Sequence, residues 1–365
     1  MPLYGLRTGA FFGRVLLFEH LYGIMIVTLI RDDRQVLFMN VKDSLLKAFA
    51  EADNKYISGS ALAEQLGVSR NAVWKAVKAL ENEGYIIDSV TAKGYRLSGR
   101  SNHLSEQLIA AKLDSSVIGS RIIVLDEVDS TNNYAKEFTA KVKANGTVII
   151  ADRQSAGKGR LGRSFVSPAG KGLYMSVILH PEFSIQMAPL ITSMTAVATA
   201  EAIESLCKAD VCIKWVNDLY INNKKIVGIL TEASVDMEMR ALDIAVVGIG
   251  INVRRIGESF DEELSARASS IEDETGAVLD RNELCAAVIN SLDAHLAKIE
   301  SREYLREYRR REMLTGNMIT AKVGSETITG RAVGIDRNAN LMVEMENGIV
   351  RSLSSGEANL CRIIK

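Results

Sequence analysis

The chain has 365 residues, 47% of them apolar, and a formal net charge of −1. That length exceeds one average domain and fits two or three, and the mixed charge fits a globular protein with a sizeable core. The balance argues against nucleic-acid binding by bulk electrostatics and leaves room for a local basic face. The four cysteines (Cys207, Cys212, Cys285, Cys361) form no CxxC pair, and the four histidines show no ligand spacing. Free thiols in a reducing cytoplasm are expected, without a structural zinc site.

The first forty residues stand apart. Residues 9 to 30 are apolar but interrupted by Arg14, Glu19 and His20, and so fail the test of about 20 uninterrupted apolar residues for a membrane span. No small-residue cleavage site follows, as a signal peptide requires. Residues 1–38 read as an extension, with Met39 beginning the folded protein and a membrane anchor as the alternative.

Residues 39–98 read as three helices and a hairpin. Asp43–Glu51 forms a short amphipathic helix. Ser58 N-caps a second helix that buries Leu62 and Leu66, Gly67 and Val68 turn the chain, and Ser69 N-caps a third. On the third, Val73, Val77 and Leu80 make one apolar stripe. Ser69, Arg70, Asn71, Lys75 and Lys78 lie at its start and on its polar face, the side-chain types that reach base edges and phosphates from the major groove. An alternating run from Ile86 to Val90 turns at Thr91–Gly94, with Lys93 at the tip, into Tyr95–Leu97. This is a winged helix-turn-helix pattern; a three-helix interaction module that never meets DNA is the alternative.

Residues 99–102 form a polar linker, and residues 103–315 change to an α/β pattern. Ile- and Val-rich runs (121–125, 146–151, 173–179) alternate with helices, the longest over 188–207. Gly157, Gly159 and Gly162 formally satisfy G-x-G-x-x-G. Residues 164–170 are loop material rather than the opening of a helix, which rejects a dinucleotide site. What remains is a glycine loop carrying Lys158, Arg160 and Arg163, suited to an anion and to closure over a substrate. A solvated basic loop is the plain alternative. Lys214–Tyr220 leads to a hairpin at Asn222–Asn223. The next strand opens with Lys225, costly at a buried strand mouth without an anionic partner, with a lysine snorkelling from a strand end as the plain alternative. Gly248 and Gly250 on a later strand permit close approach of a flat ligand. Beyond residue 316, short strands (318–323, 327–335, 341–346, 349–353) and the Asn347–Gly348 turn signal suggest a small SH3-like barrel.

In order along the chain stand Asp129-Ser-Thr-Asn132, Gly157-Lys-Gly-Arg-Leu-Gly-Arg163, Lys214-Trp-Val-Asn-Asp218, Lys225-Ile-Val-Gly-Ile-Leu230 and Gly248-Ile-Gly-Ile-Asn252. Together they resemble the biotin protein ligase signature and, with the winged helix in front, the bacterial bifunctional ligase-repressors, over about residues 40 to 365. The loop carries Lys158 where the family often has Arg, and Val216 where it has Pro. The resemblance implies a class II synthetase-like catalytic domain using biotin, ATP and Mg2+. It implies a biotin site of Ser130, Thr131, Asn132, Gln154, Lys158, Gly159, Arg160, Lys225, Gly248 and Gly250. Gly157, Arg163, Trp215, Asn217 and Asn252 fall to the nucleotide. Arg160, Lys225 and Asp218 fall to catalysis, with Asp218 also the candidate magnesium ligand and Trp215 either near the adenine or in the core. Implied partners are the biotin carboxyl carrier protein of acetyl-CoA carboxylase, biotin operator DNA and a second copy in an adenylate-dependent homodimer, with no membrane. The rival readings are a lipoate ligase, a biotin-sensing repressor without ligase activity, and a ligase that does not bind an operator.

Overall fold

A computed structural model describes residues 16–20, 23–27, 39–52, 54–98, 102–142, 144–180, 187–236, 241–255 and 257–361. They fall into two compact units, residues 1–101 and 102–365.

In the first unit, β1 (Leu16–His20) and β2 (Gly23–Val27) pair antiparallel, and β3 (Met39–Asn40) joins β2. Backbone pairing therefore reaches upstream of Met39, the expected start of the fold; the rest of the 1–38 expectation lies outside the described residues. Helices α1 (Val41–Glu51), α2 (Gly59–Leu66) and α3 (Arg70–Asn82) follow. Ser58 Oγ accepts from Ala61 N and Ser69 Oγ from Ala72 N, each satisfying a backbone donor that a helix start leaves orphaned. Gly67 ends α2 in the left-handed region (φ 66°), which turns the chain into α3. Leu45, Leu62, Val73 and Leu80 are fully buried, each worth roughly 1.5–3 kcal/mol relative to exposure. Strands β4 (Ile87–Val90) and β5 (Gly94–Leu97) form an antiparallel hairpin. Gly94 has φ 102°, and a Cβ there would sit 2.1 Å from Ile57 O, so only glycine fits.

The second unit holds α4 (Glu106–Ala110), β6 (Arg121–Val128), α5 (Thr131–Thr139), β7 (Thr147–Gln154), β8 (Gly172–Leu179), α6 (Ala188–Leu206), β9 (Cys212–Lys214), β10 (Asp218–Ile221), β11 (Lys224–Asp236) and β12 (Ala241–Asn252). Then come α7 (Glu262–Arg267), α8 (Ile271–Thr275), α9 (Arg281–Leu296) and α10 (Leu305–Arg311). The sheet order is β6-β7-β8-β12-β11-β10-β9; β6 pairs parallel with β7 and the remaining neighbours are antiparallel. Alternation sorts each strand's side chains to two faces. Val177, Val247 and Ile249 join the large core with α6 and α9, whereas Ile149, Ile178 and Val246 pack with Ala135 of α5.

Five further strands, β13 (Met318–Val323), β14 (Glu326–Ile335), β15 (Leu341–Glu344), β16 (Val350–Leu353) and β17 (Glu357–Leu360), form an antiparallel sheet ordered β16-β15-β14-β13-β17. Its buried residues Ile319, Val343 and Ala358 belong to the same core cluster as the central sheet. Asn102, expected in the linker, belongs to this unit. Its side chain donates to Gly170 O, and its carbonyl accepts from the buried Arg281, which also pairs with Asp152 at 2.6 Å. Among the described residues no helix is long and apolar enough to cross a membrane.

Candidate active site

The site lies on the α5 face of the central sheet, just beyond the N-terminus of that helix. Antiparallel register puts Ser176, Gly248 and Leu230 in one cross-strand row and Tyr174, Gly250, Gly228 and Asp218 in the next. The floor is small or bare because three of these positions are glycine.

Over this floor the first turn of α5 places Thr131 and Asn132, both buried. Gln154, at the end of β7, accepts from Thr131 N (2.9 Å) and Thr131 Oγ1 (3.1 Å) and donates to Ser167 Oγ (2.8 Å). Most of its amide is thus engaged, leaving one N–H for a ligand. Asn132 Nδ2 donates to Glu232 Oε2 (2.8 Å) and Leu230 O (3.2 Å), and its Oδ1 lies 2.6 Å from Ser176 Oγ. Burial pushes Glu232 up, but Lys136 and Asn132 together hold it below the usual carboxylate range. Ser130 is buried and makes no N-cap hydrogen bond, so its hydroxyl is not committed to the helix.

The glycine loop folds on itself. Gly159 N donates to Arg163 O (2.7 Å), and Phe165 N donates to Gly157 O (2.8 Å). A Cβ on Gly157 would meet Phe165 O at 2.4 Å, so this glycine serves the loop's own packing. A 3-10 turn over Arg160–Gly162 carries Leu161, 75% exposed, at the tip; as expected, no helix opens after the glycines. Lys158 stays at the rim, donating to Asn133 Oδ1 (2.6 Å). Arg160 turns inward and donates to Asn217 Oδ1 (2.9 Å), while Asn217 Nδ2 donates to Ile229 O (2.8 Å). Arg163 instead forms a bidentate pair with Glu357 of β17 (2.9 and 2.6 Å), and this holds the Glu357 carboxyl below its ordinary range.

Lys225 Nζ lies 2.7 Å from Asp218 Oδ1. The contact is an ion pair lying off the hydrogen-bonding direction, because that buried oxygen accepts no hydrogen bond. This anion answers the lysine's burial, as expected of a cation at a strand mouth. Trp215 is buried, and its Nε1 donates to Ala339 O (3.0 Å), tying it to the C-terminal sheet. The Trp215–Val216 peptide is cis. Asn252 Nδ2 donates to Ser269 O (2.9 Å).

These residues line two adjoining cavities that open to solvent. The first is lined by Ser130, Thr131, Asn132, Gln154, Leu230, Gly248 and Gly250 among others. The second is lined by Arg163, Lys214, Trp215, Asp218 and Glu357 among others. Gly159, Arg160, Phe165, Asn217 and Lys225 line both. A groove continues past Asn252 to Tyr220, Phe260 and Arg267. Burial pushes Lys214, on both the second cavity and the groove, below the usual lysine range.

Several of these residues were missed from sequence. Phe165 packs over the glycine rows: a Cβ on Gly250 would lie 2.6 Å from its ring and one on Gly228 3.2 Å. The flat group that approaches Gly250 here is therefore this side chain. Ser176 was findable, as a lone polar residue in the apolar run 173–179. Phe165, Phe260 and Glu357 carried no local signal.

The architecture and the site define a ligase-type catalytic unit preceded by a helix-turn-helix unit. The family described as Biotin/lipoate A/B protein ligase matches residues 124–252, an HTH domain matches 42–96, and a Biotin protein ligase C terminal domain matches 315–360. The chain is 35% identical over 323 residues to the bifunctional ligase/repressor BirA of Bacillus spizizenii, covering 86% of this chain and 97% of that protein. It is 32% identical over 312 residues to the Escherichia coli protein of the same description, covering 85% and 94%. Among solved structures, the biotin protein ligase from Aquifex aeolicus in complex with biotin and ATP is 32% identical, covers 67% of this chain and 99% of that one, and has a TM-score of 0.57. The chain belongs to the bifunctional biotin ligase/repressor family.

Proposed function

We propose that this protein is an ATP-dependent biotin–protein ligase that also acts as a biotin-responsive repressor. One observation carries the ligase reading: two cavities, one lined by the hydroxyls and amides of Ser130, Thr131, Asn132 and Gln154 and the other by Lys214, Trp215 and the Arg163–Glu357 pair, meet at Arg160, Asn217 and Lys225. An enzyme that joins two substrates needs its stabilising charge where they meet. The first cavity suits biotin, since Ser130, Thr131, Asn132 and the free N–H of Gln154 offer the donors and acceptors that a ureido ring matches. The second cavity and its groove suit ATP, with aromatic Tyr220 and Phe260 at one end and Lys214, Arg163 and Arg267 for phosphates.

The biotin carboxylate attacks the α-phosphate of ATP, forming biotinyl-5′-adenylate and releasing pyrophosphate. The ε-amine of a carrier-protein lysine then attacks the mixed anhydride, and AMP leaves. Arg160 and Lys225 stabilise the charge that develops in both steps, and the loop from Gly157 to Arg163 covers the adenylate. Among the described residues no three His, Cys, Asp or Glu side chains cluster as a metal cage. Magnesium needs only one or two carboxylates when substrate phosphates complete its shell, and Asp218, which lines the second cavity with its Oδ1 turned to Lys225, is the carboxylate placed for that role. Asp218 would hold the ion, which neutralises phosphate charge when bound.

The finer reading assigns residues 39–98 to a winged helix, 103–315 to a class II synthetase-like domain and 316–365 to an SH3-like barrel. The partners are biotin carboxyl carrier protein, operator DNA and, with adenylate bound, a second copy of the chain, in the cytoplasm. Ser69 caps α3, and Arg70, Asn71, Lys75, Lys78 and Lys93 make up the DNA face. Lys78 is paired with Glu81 (2.6 Å), and Lys93 lies over the Tyr56 ring (5.9 Å). Biotin-dependent ATP–pyrophosphate exchange tests the ligase; exchange with lipoate but not biotin would overturn it. A gel shift with and without biotin and ATP tests the repressor, and a shift insensitive to both would remove the switch.

A further inference from the structure

The chain has two tryptophans, and their surroundings are opposite. Trp215 is 3% exposed in the catalytic unit; Trp74, in the middle of α3, is 49% exposed. The same helix turns Val73, Ala76, Val77 and Leu80 into the core. At about 100° per residue, Trp74 falls between Arg70 and Lys78 on the opposite face, with Asn71 and Lys75 beside them. No described residue hydrogen-bonds its indole or stacks on it. About half of the first unit's largest side chain therefore stays outside its packing, and an exposed aromatic is informative when it sits among groups that share a target.

Charge selects that target. Arg70 and Lys75 enter no ion pair among the described residues, and Glu81, the acidic group on this face, is tied to Lys78. The surface offers cations and an amide around one apolar plate, so it fits an anionic partner that also presents an apolar contact. The DNA major groove does so: it is wide enough for a helix and displays the C5-methyl of each thymine between phosphate rows. We propose that Trp74 is a base-reading residue whose indole packs on a thymine methyl, while the neighbouring cations and Asn71 engage phosphates and base edges. This rests on the DNA-binding reading above and adds to it the residue and the base that set specificity.

The test uses the full chain with biotin and ATP. Random-sequence duplexes are enriched by binding, and the enriched pool is then remade with deoxyuridine in place of thymidine, which removes only the methyl. The unsubstituted protein should bind the thymine pool about fourfold tighter for each methyl contacted, the transfer value of one CH2-sized group. Trp74→Ala should bind both pools alike while retaining biotin-dependent ATP–pyrophosphate exchange, which shows the chain is folded. Trp74→Phe should keep part of the preference. In a second readout, adding duplex should protect the accessible tryptophan fluorescence from acrylamide, and Trp74→Phe should abolish that change. Undiminished thymine preference in Trp74→Ala overturns the role of Trp74 and leaves DNA binding standing. Failure to enrich any duplex overturns the DNA-binding reading and the proposal with it. Weakened self-association of Trp74→Ala with unchanged DNA binding would place the indole in a protein interface and also overturn it.

Discussion

Gly248→Ala places a methyl group against Asn132, a buried and fully hydrogen-bonded side chain of the site. Its Cβ would sit 2.3 Å from Asn132 Oδ1, where ordinary contact begins near 3.4 Å, so the amide must retreat by about 1 Å. Asn132 is 3% exposed and held at three points, by Ser176 Oγ, Leu230 O and Glu232 Oε2. Retreat leaves at least one buried polar group unpaired, at roughly 1–3 kcal/mol, and overpacking adds roughly 1–3 kcal/mol. The expected destabilisation is on the order of 3 kcal/mol in urea unfolding, with biotin affinity lowered at least tenfold by calorimetric titration. The decisive measurement is a double-mutant cycle. In an Asn132→Ala background the obstacle is gone, so Gly248→Ala should cost below about 1 kcal/mol. Equal costs in the two backgrounds would refute the reasoning.

Arg160→Ala removes the donor to Asn217 and should release biotinyl-adenylate at least tenfold faster; an unchanged off-rate would show that the loop is not a lid. Lys225→Met should lower kcat for adenylate formation by roughly 100- to 1000-fold, the usual cost of one charge-stabilising donor, with the fold retained by circular dichroism. Glu357→Gln should change the melting free energy by less than about 1 kcal/mol, because the Arg163–Glu357 pair is a partly exposed surface pair. The folded Glu357 carboxyl is depressed by Arg163. Its contribution is therefore complete above the unfolded value near 4.3 and is lost as pH falls through the lower folded value. An acid-unfolding curve of Glu357→Gln that matches the unsubstituted protein's throughout that window would show that the pair contributes nothing.

Much of the secondary structure was legible in the residues because its causes are local. Ser58 and Ser69 announce helix starts with an acceptor for orphaned N–H groups, and Gly67 supplies the left-handed stop. Asn222 and Asn223 take positive φ at the expected hairpin (50° and 63°). The stretch after Gly162 lacks a helix start, which by itself excludes a dinucleotide site. The site was legible in part: the ordered motifs named residues that do line the first cavity, from Ser130 to Gly250.

Other assignments needed neighbours that local pattern does not announce. Trp215 donates to Ala339 O in the turn between β14 and β15, more than a hundred residues later, and Arg163 meets Glu357. Gln154 is largely used to hold Thr131 and Ser167, and Gly159 donates its N–H within its own loop.

From its own residues the chain specifies helices, turns, caps, a basic helix face and the chemical types needed for an acyl-adenylate, since these depend on periodicity and on atoms a few bonds apart. Which of those groups meet depends on strand order and register. A one-residue slip of β12 against β8 would turn Gly248 away from Asn132 and Ser176 and put a branched side chain in the cavity floor. That pairing joins segments far apart in the chain, so the glycine floor, the Phe165 ring above it and the Arg163–Glu357 tie exist only once the whole second unit has packed around its core.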